Sequence, residues 1–142
     1  MKVVINKCFG GFGLSDEAVY RLYKKSSPLI TVKPINDYYG NSPNKFEEDK
    51  VKYYIPFKGG LLKHRIMSNL VDGDKMIYYS DYEDRMNNRK HPDMIWIVET
   101  MGKAAGGEYA ELEIIVIPDG VEFEIDEYDG MESIHEKHRS WA

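Results

Sequence analysis

The pattern of apolar and polar residues predicts a strand followed by a helix at the start of the chain. Residues 3–5 are a continuous β-branched run, which is typical of a central strand covered on both faces. After a glycine-rich segment, Ser15 is a favourable N-cap for a helix that extends to about Lys25. One apolar face at helical spacing is formed by Ala18, Val19, Leu22 and Tyr23.

The middle of the chain has a mainly strand-like pattern interrupted by turn residues. Strands are predicted over residues 28–35, 51–57 and 76–79. Residues 36–48 are rich in turn formers and predict a surface loop. In residues 61–71 the apolar spacing slightly favours a short helix over a strand, and the polar stretch 81–91 predicts irregular structure.

The last third predicts one helix, a hairpin and a short final helix. Pro92 suits the start of a helix, and Gly102 suits its end. Residues 109–117 and 121–126 have strand patterns, and Pro118-Asp119-Gly120 between them predicts a β-hairpin with one acidic, solvated face. A short helix is predicted near residues 131–138.

Together these elements predict the α+β class as one domain over residues 1–142. The expected architecture is a mostly antiparallel or mixed sheet packed by two main helices and a short C-terminal helix. A chain of 142 residues is the usual length of one domain. Cys8 is the only cysteine, which excludes an intramolecular disulfide and indicates a reducing compartment. With no signal-like start and no apolar run of ~20 residues, a cytoplasmic protein without membrane contact is expected.

The net charge of −5 hides an asymmetry along the chain. Residues 1–103 contain 17 Lys and Arg against 13 Asp and Glu, whereas residues 104–142 contain 2 against 11. This distribution argues against DNA or RNA as the main partner, which would require a concentrated basic surface. The acidic final part favours solubility or the docking of a basic partner.

The first candidate binding segment is the glycine-rich bend Phe9, Gly10, Gly11, Phe12 and Gly13. It lies between a strand and a capped helix, where backbone N–H groups can hold an anion. Its spacing matches neither the dinucleotide fingerprint nor the Walker loop. The alternative is a tight turn in which the glycines adopt positive φ and the phenylalanines fill the core.

The second candidate lies in the C-terminal residues. Arg139 and Trp141 place a guanidinium and an indole two residues apart, which suits a charged planar ligand or a partner chain. In the predicted helix, His135 and His138 would be i,i+3 neighbours, a spacing that can hold a metal. Because no metal-binding motif surrounds these two histidines, we expect no metal and no cofactor. The acids of residues 126–129 are interpreted as a solvated strand end.

Two further sets of residues have open roles. Seven of the 11 tyrosines lie between residues 38 and 82, as expected either for strands with one solvent-exposed face or for a ligand-binding surface. Cations are spread over the middle of the chain and could meet an anionic ligand: Lys63, His64, Arg65, Arg85, Arg89, Lys90 and His91.

Three segments together resemble one known family. They are VVINKCFGGFGLS at residues 3–15, VETMGKAAGG at 98–107 and IPDGVEFEIDEYDGMESIHEKHRSW at 117–141. The chain resembles a family of small bacteriophage and bacterial proteins that open with VVIN…GGFGLS and close with EIDEYDG…E…HR.W. The resemblance implies an accessory phage protein acting in the host cytoplasm, and it assigns no catalytic residue.

These observations lead to one functional expectation and two alternatives. The chain is expected to bind and sequester a small anionic, nucleotide-like signalling ligand without turning it over, as a homo-oligomer that counters host immunity. The first alternative is an inhibitor that binds a host defence protein through the acidic residues Glu122, Glu124 and Asp126. The second is a small nucleotide hydrolase with His135 or His138 as the base.

Overall fold

The chain is an α+β protein with antiparallel sheets, as predicted, and it divides into two compact units. The computed structural model describes residues 1–34, 53–56, 62–66, 69–72, 74–81 and 84–137. Unit 1 comprises Met1–Ala18 and Asp81–Ala142, and unit 2 comprises Val19–Ser80. The prediction of a single domain over residues 1–142 stays a prediction.

The described elements follow one another in a strand-rich order. They are β1 (Lys2–Asn6), α1 (Asp16–Lys24), β2 (Ile30–Pro34), β3 (Tyr53–Pro56), β4 (Leu62–Ile66), β5 (Asn69–Asp72), β6 (Lys75–Tyr79), α2 (Arg85–Arg89), α3 (Pro92–Met101), a 3-10 turn (Gly102–Ala105), β7 (Leu112–Val116), β8 (Phe123–Tyr128) and β9 (Met131–Glu136).

Unit 1 contains two separate antiparallel strand pairs. Strand β1 pairs with β7, with Val4 opposite Ile114. Strands β8 and β9 form a hairpin, with Ile125 opposite Ile134. Helix α3 packs on β1 and β7, and β9 also contacts β1. The apolar core of the unit is formed by Val3, Val4, Ile5, Ala18, Met94, Ile97, Val98, Ala105 and Leu112.

The loop between β1 and α1 is held by backbone pairing with the segment that follows α3. Ser15 caps α1 as predicted, since its Oγ accepts a hydrogen bond from the Ala18 N–H at 3.2 Å. The same hydroxyl donates to the carbonyl of Ala104 at 2.7 Å. The Gly107 N–H donates to the carbonyl of Gly13 at 2.9 Å. The glycine-rich bend is therefore fixed at its C-terminal side by a second, distant segment.

Unit 2 is built on a five-stranded antiparallel sheet in the order β2-β6-β5-β4-β3. Its described core residues are Val19, Leu22, Leu29, Ile30, Leu70, Val71, Met76 and Ile77. The Tyr23 hydroxyl donates to the Asp72 carboxylate at 2.7 Å. This hydrogen bond favours the neutral phenol, so it raises the pKa of Tyr23.

Two predictions for the C-terminal part are wrong. Residues 131–136 form strand β9 rather than a helix, because alternating burial places Glu132 and Ile134 on the covered face of a hairpin. Strand β8 pairs with β9 and not with the predicted segment 109–117, whose residues 112–116 form β7 and pair with β1 instead. The turn that closes the hairpin is Asp129-Gly130, and both residues have positive φ.

Two predictions for the middle are also wrong. The helix favoured for residues 61–71 is replaced by strands β4 and β5, which pair with each other in the sheet of unit 2. The stretch 81–91, predicted to be irregular, contains the short helix α2. The predicted loop 36–48 lies outside the described residues. None of the helices in the described part of the chain has the length and apolar character needed to cross a membrane.

Candidate functional site

Gly10 and Gly130 let three backbone segments approach one another closely. These segments are the glycine-rich bend, the loop before β7 and the β8–β9 turn. A side chain at Gly10 would overlap the backbone and Cβ of Tyr109. A side chain at Gly130, in the β8–β9 turn, would overlap the Gly11 nitrogen and the Phe9 carbonyl oxygen. Position 10 therefore requires glycine because of the backbone at Tyr109, and position 130 requires glycine because of the backbone of the bend.

The aromatic residues around the bend have two different environments. The Phe12 ring lies under the Arg89 guanidinium, whose central carbon is 3.4 Å from the ring centroid. Three other aromatic residues, Phe9, Tyr109 and Tyr128, belong to the touching segments and remain between 59% and 74% exposed. Phe12 therefore packs against Arg89. The interpretation that both phenylalanines fill the core is wrong for Phe9, whose side chain is exposed.

A buried ionic network lies beneath the bend. Glu132 and Arg89 are each only 1% exposed. The two guanidinium Nη atoms of Arg89 donate to the two carboxylate oxygens of Glu132 at 2.5 and 2.9 Å. Arg85 donates to the same carboxylate at 2.5 Å, and Arg89 also pairs with Asp81. This bidentate geometry gives each buried charge an opposite partner, which burial requires.

Asn6, at the end of β1, joins this network to the bend and to the loop before β7. Its backbone N–H donates to the Glu132 carboxylate at 2.8 Å. Its side-chain amide donates to the carbonyls of Cys8 and Gly130, and its amide oxygen accepts from the N–H groups of Cys8 and Glu111. A fully satisfied buried amide of this kind holds its neighbouring segments in one arrangement.

The charge of Glu132 is set by its two arginine partners. Burial alone would raise the pKa of the Glu132 carboxyl, but the hydrogen bonds from Arg89 and Arg85 outweigh it. The pKa of Glu132 therefore lies below its ordinary value, and the group is an anion at neutral pH. The network is a structural clamp, because Arg85 and Arg89, considered above as sites for an anionic ligand, already face this carboxylate.

The C-terminal pair proposed from the sequence, Arg139 and Trp141, lies outside the described residues. His138 and the side chains of Lys63, His64 and Arg65 also lie outside them. The binding role of Phe9 to Gly13 stays a prediction. Of the remaining cations named from sequence, Lys90 faces a concave surface of unit 1, and the His91 side chain caps α3 by accepting from the Asp93 N–H.

That concave surface is a groove of about 440 Å³ beside α3 and the start of β1. Trp96, which is 37% exposed, forms part of its apolar lining together with Ile95 and Pro92. Lys2 and Lys90 stand at the groove, and the Lys2 ammonium pairs with Glu99 at 2.6 Å. The volume lies within the range of small-molecule sites, and an aromatic face beside ammonium groups is suited to a planar anion.

A second concavity of about 290 Å³ adjoins the first through shared residues. Met1 and Lys90 line both, and the second is completed by residues of α2, β8 and the C-terminal end of β9. Lys90 therefore lies where an extended ligand would pass from one concavity to the other. No pattern in the sequence identified this region, because its lining comes from four separate segments.

The exposed face of the β8–β9 hairpin carries a compact set of ionisable groups. The His135 Nε2 atom lies 3.0 Å from the Glu124 carboxylate and 3.1 Å from that of Asp126. These three side chains share one face, and the sequence did not associate them because it predicted His135 on a helix.

No protein-family model, curated protein or solved structure matches this chain.

Proposed function

We propose that the protein binds a small anionic, nucleotide-like ligand and sequesters it without turnover. The observation that carries this proposal is the groove beside α3, whose lining includes Trp96, Lys90 and Lys2. A nucleobase would stack on the indole, which is worth about 1–3 kcal/mol for a base on an aromatic side chain. A phosphate would take Lys90 as its counter-ion.

The groove is better suited than the bend to bind such a ligand. Around the bend, the arginines already bind Glu132, and the neighbouring backbone segments occupy the space beside Gly10 and Gly130. Among the side chains that line the groove, Lys2 and Lys90 are cationic and Glu99 is anionic, so their summed charge is positive. The proposed setting, a phage accessory protein acting against host immunity, rests on the family resemblance alone.

The ligand proposal is tested by calorimetry of the full chain against cyclic di- and trinucleotides and cyclic ADP-ribose isomers. We expect at least one of them to bind, and Trp96→Ala to weaken that binding by about 1–3 kcal/mol, or about fivefold to 150-fold. Phe9→Ala is the matched control, since it removes an exposed aromatic ring from the bend instead.

Each outcome of this experiment has a definite meaning. If no member of the panel binds, the proposed function is wrong. If Phe9→Ala abolishes binding while Trp96→Ala leaves it unchanged, the ligand is seated at the bend and the groove assignment is wrong. Mass spectrometry of the denatured protein after purification would identify a ligand carried through from the cell, and an intact ligand would support binding over hydrolysis.

A second candidate function is inhibition of a basic host protein by the acidic face of the hairpin. Glu122 and Asp126 are exposed residues at alternate positions of the chain leading into and along β8, with Glu124 between them. Alternate residues of a strand share a face, so the three carboxylates form one acidic row.

Charge reversal at Glu122 tests this second candidate. We expect Glu122→Lys to weaken inhibition of the host target by about tenfold or more, because like charges across an interface are costly and oppose association. Potency of the variant is measured against that of Glu113→Lys, which reverses an exposed charge on β7 instead. Equal potency of Glu122→Lys and the unmodified chain would dismiss the acidic face as a docking surface.

A further inference from the structure

We propose that Glu124, Asp126 and His135 form a divalent-cation site on the exposed face of the β8–β9 hairpin, and that it takes Zn²⁺. One imidazole nitrogen and one oxygen from each carboxylate lie within 4.8 Å of one another. This site is independent of the ligand groove, which involves none of the three residues.

The hairpin register explains why these three side chains meet. Glu124 and His135 are directly opposite each other in the paired strands. Asp126 lies two residues after Glu124 and is opposite Ser133. Glu124 and Asp126 share a face of β8 because side chains two residues apart point the same way. All three ligand groups therefore stand on paired strands rather than on a loop, which favours a defined geometry.

Two of the distances are a few tenths of an ångström below the spacing of atoms that share a zinc ion. Two ligand atoms bound at the tetrahedral angle to one Zn²⁺ at ~2.0–2.2 Å lie about 3.3–3.6 Å apart. The His135 Nε2 atom is 3.0 Å from an oxygen of Glu124 and 3.1 Å from an oxygen of Asp126. Small rotations of the side chains would place all three atoms around one ion.

The set differs from an ordinary acidic patch in containing the imidazole as its centre. A single N–H at Nε2 cannot donate a full hydrogen bond to two carboxylates, whereas a cation between them would satisfy the nitrogen and both oxygens together. Mixed nitrogen and oxygen ligands suit borderline Zn²⁺, and harder Mg²⁺ prefers oxygen alone.

Three protein ligands leave a coordination position of the ion open to water. All three side chains are at least partly exposed, so the ion would exchange with solvent and would be reachable by a ligand or a partner chain. Binding would also stabilise the hairpin, because an ion that prefers the folded state adds to the free energy of unfolding in proportion to RT ln(1 + [metal]/Kd).

The test is calorimetric titration of the chelator-treated full chain with Zn²⁺, with Mg²⁺ in a parallel experiment. We expect one saturable Zn²⁺ site that Mg²⁺ does not occupy at the same concentration. His135→Ala and Asp126→Asn should each weaken Zn²⁺ binding by about tenfold or more. Both replace exposed side chains, and circular dichroism would verify that the variants are folded.

The matched control is Glu122→Gln, which removes one negative charge from the same face but leaves the three proposed ligands in place. Its Zn²⁺ affinity should stay within about twofold of the original, since a screened surface charge contributes little. The proposal is overturned if Zn²⁺ does not bind, or if Glu122→Gln weakens binding as much as His135→Ala, which would show attraction by negative charge without coordination.

Discussion

Replacing Glu132 with glutamine is expected to lower the free energy of unfolding by about 3–5 kcal/mol, because it removes the buried anion that Arg89 and Arg85 share. Among the described residues, Arg89 would keep only the partly exposed Asp81 as an anionic partner. The amide nitrogen introduced at position 132 would also face guanidinium donors where an acceptor now lies. Urea unfolding followed by tryptophan fluorescence measures the effect, and both tryptophans belong to unit 1.

Glu127→Gln is the matched control for this loss. Glu127 pairs with the same Arg85 guanidinium at 3.3 Å, but its side chain is 49% exposed. An exposed pair contributes about 0–1 kcal/mol, so the control should change stability little. Equal effects of the two substitutions would contradict the assignment of the buried pair as the structural clamp.

The pH dependence gives a second readout of the same clamp. Because the folded-state pKa of Glu132 is lowered, its contribution to stability is complete above the unfolded-state pKa and is lost as the pH falls through the folded-state value. The difference in stability between the original chain and Glu132→Gln should therefore shrink once the pH falls below about 4. A difference that stays constant through that range would contradict the lowered pKa.

The second large effect is expected from Gly130→Ala in the turn of the hairpin. Gly130 has φ of +89°, and its added Cβ would overlap the Gly11 nitrogen and the Phe9 carbonyl oxygen. Neither backbone atom can move without displacing the bend. The left-handed conformation costs about 1–2 kcal/mol, and the overlap about 1–3 kcal/mol more. Urea unfolding measures the sum.

Gly11→Ala separates these two contributions. Gly11 has the same φ of +89°, but a Cβ there would meet nothing within 4 Å. Its cost should be limited to the conformational part, about 1–2 kcal/mol. If Gly11→Ala and Gly130→Ala are equally destabilising, the close approach of the hairpin turn to the bend does not contribute to stability.

Much of unit 1 could be predicted from local sequence signals. Strand β1, the Ser15 cap of α1 and the Pro92 start of α3 depend on residues within a few positions of each other. The pairing of β8 with β9 could not be predicted in this way. Met131 and Ile134 are spaced as on one face of a helix. Tertiary packing nevertheless favours a strand, in which Glu132 and Ile134 lie on the covered side.

The candidate sites were less accessible to sequence reasoning. The sequence identifies Arg85 and Arg89 as cations that could meet an anion, but no spacing rule joins Arg89 to Glu132, 43 positions later. Asn6 is a sequence signal for the network, because it ends an apolar strand and a polar residue in a buried run needs hydrogen-bond partners. A helical period relates His135 to His138, whereas the strand that forms places His135 opposite Glu124.

The pairing of distant segments in unit 1 has a consequence for synthesis. Asn6 reaches its carboxylate partner 126 residues later in the chain, a distance that a ribosome covers in roughly 6–25 s. During that time the apolar run at residues 3–5 has left the ribosome without β7 or β9, while the contiguous residues of unit 2 are already available to fold. Nascent chains are therefore vulnerable to aggregation until the last strand has emerged.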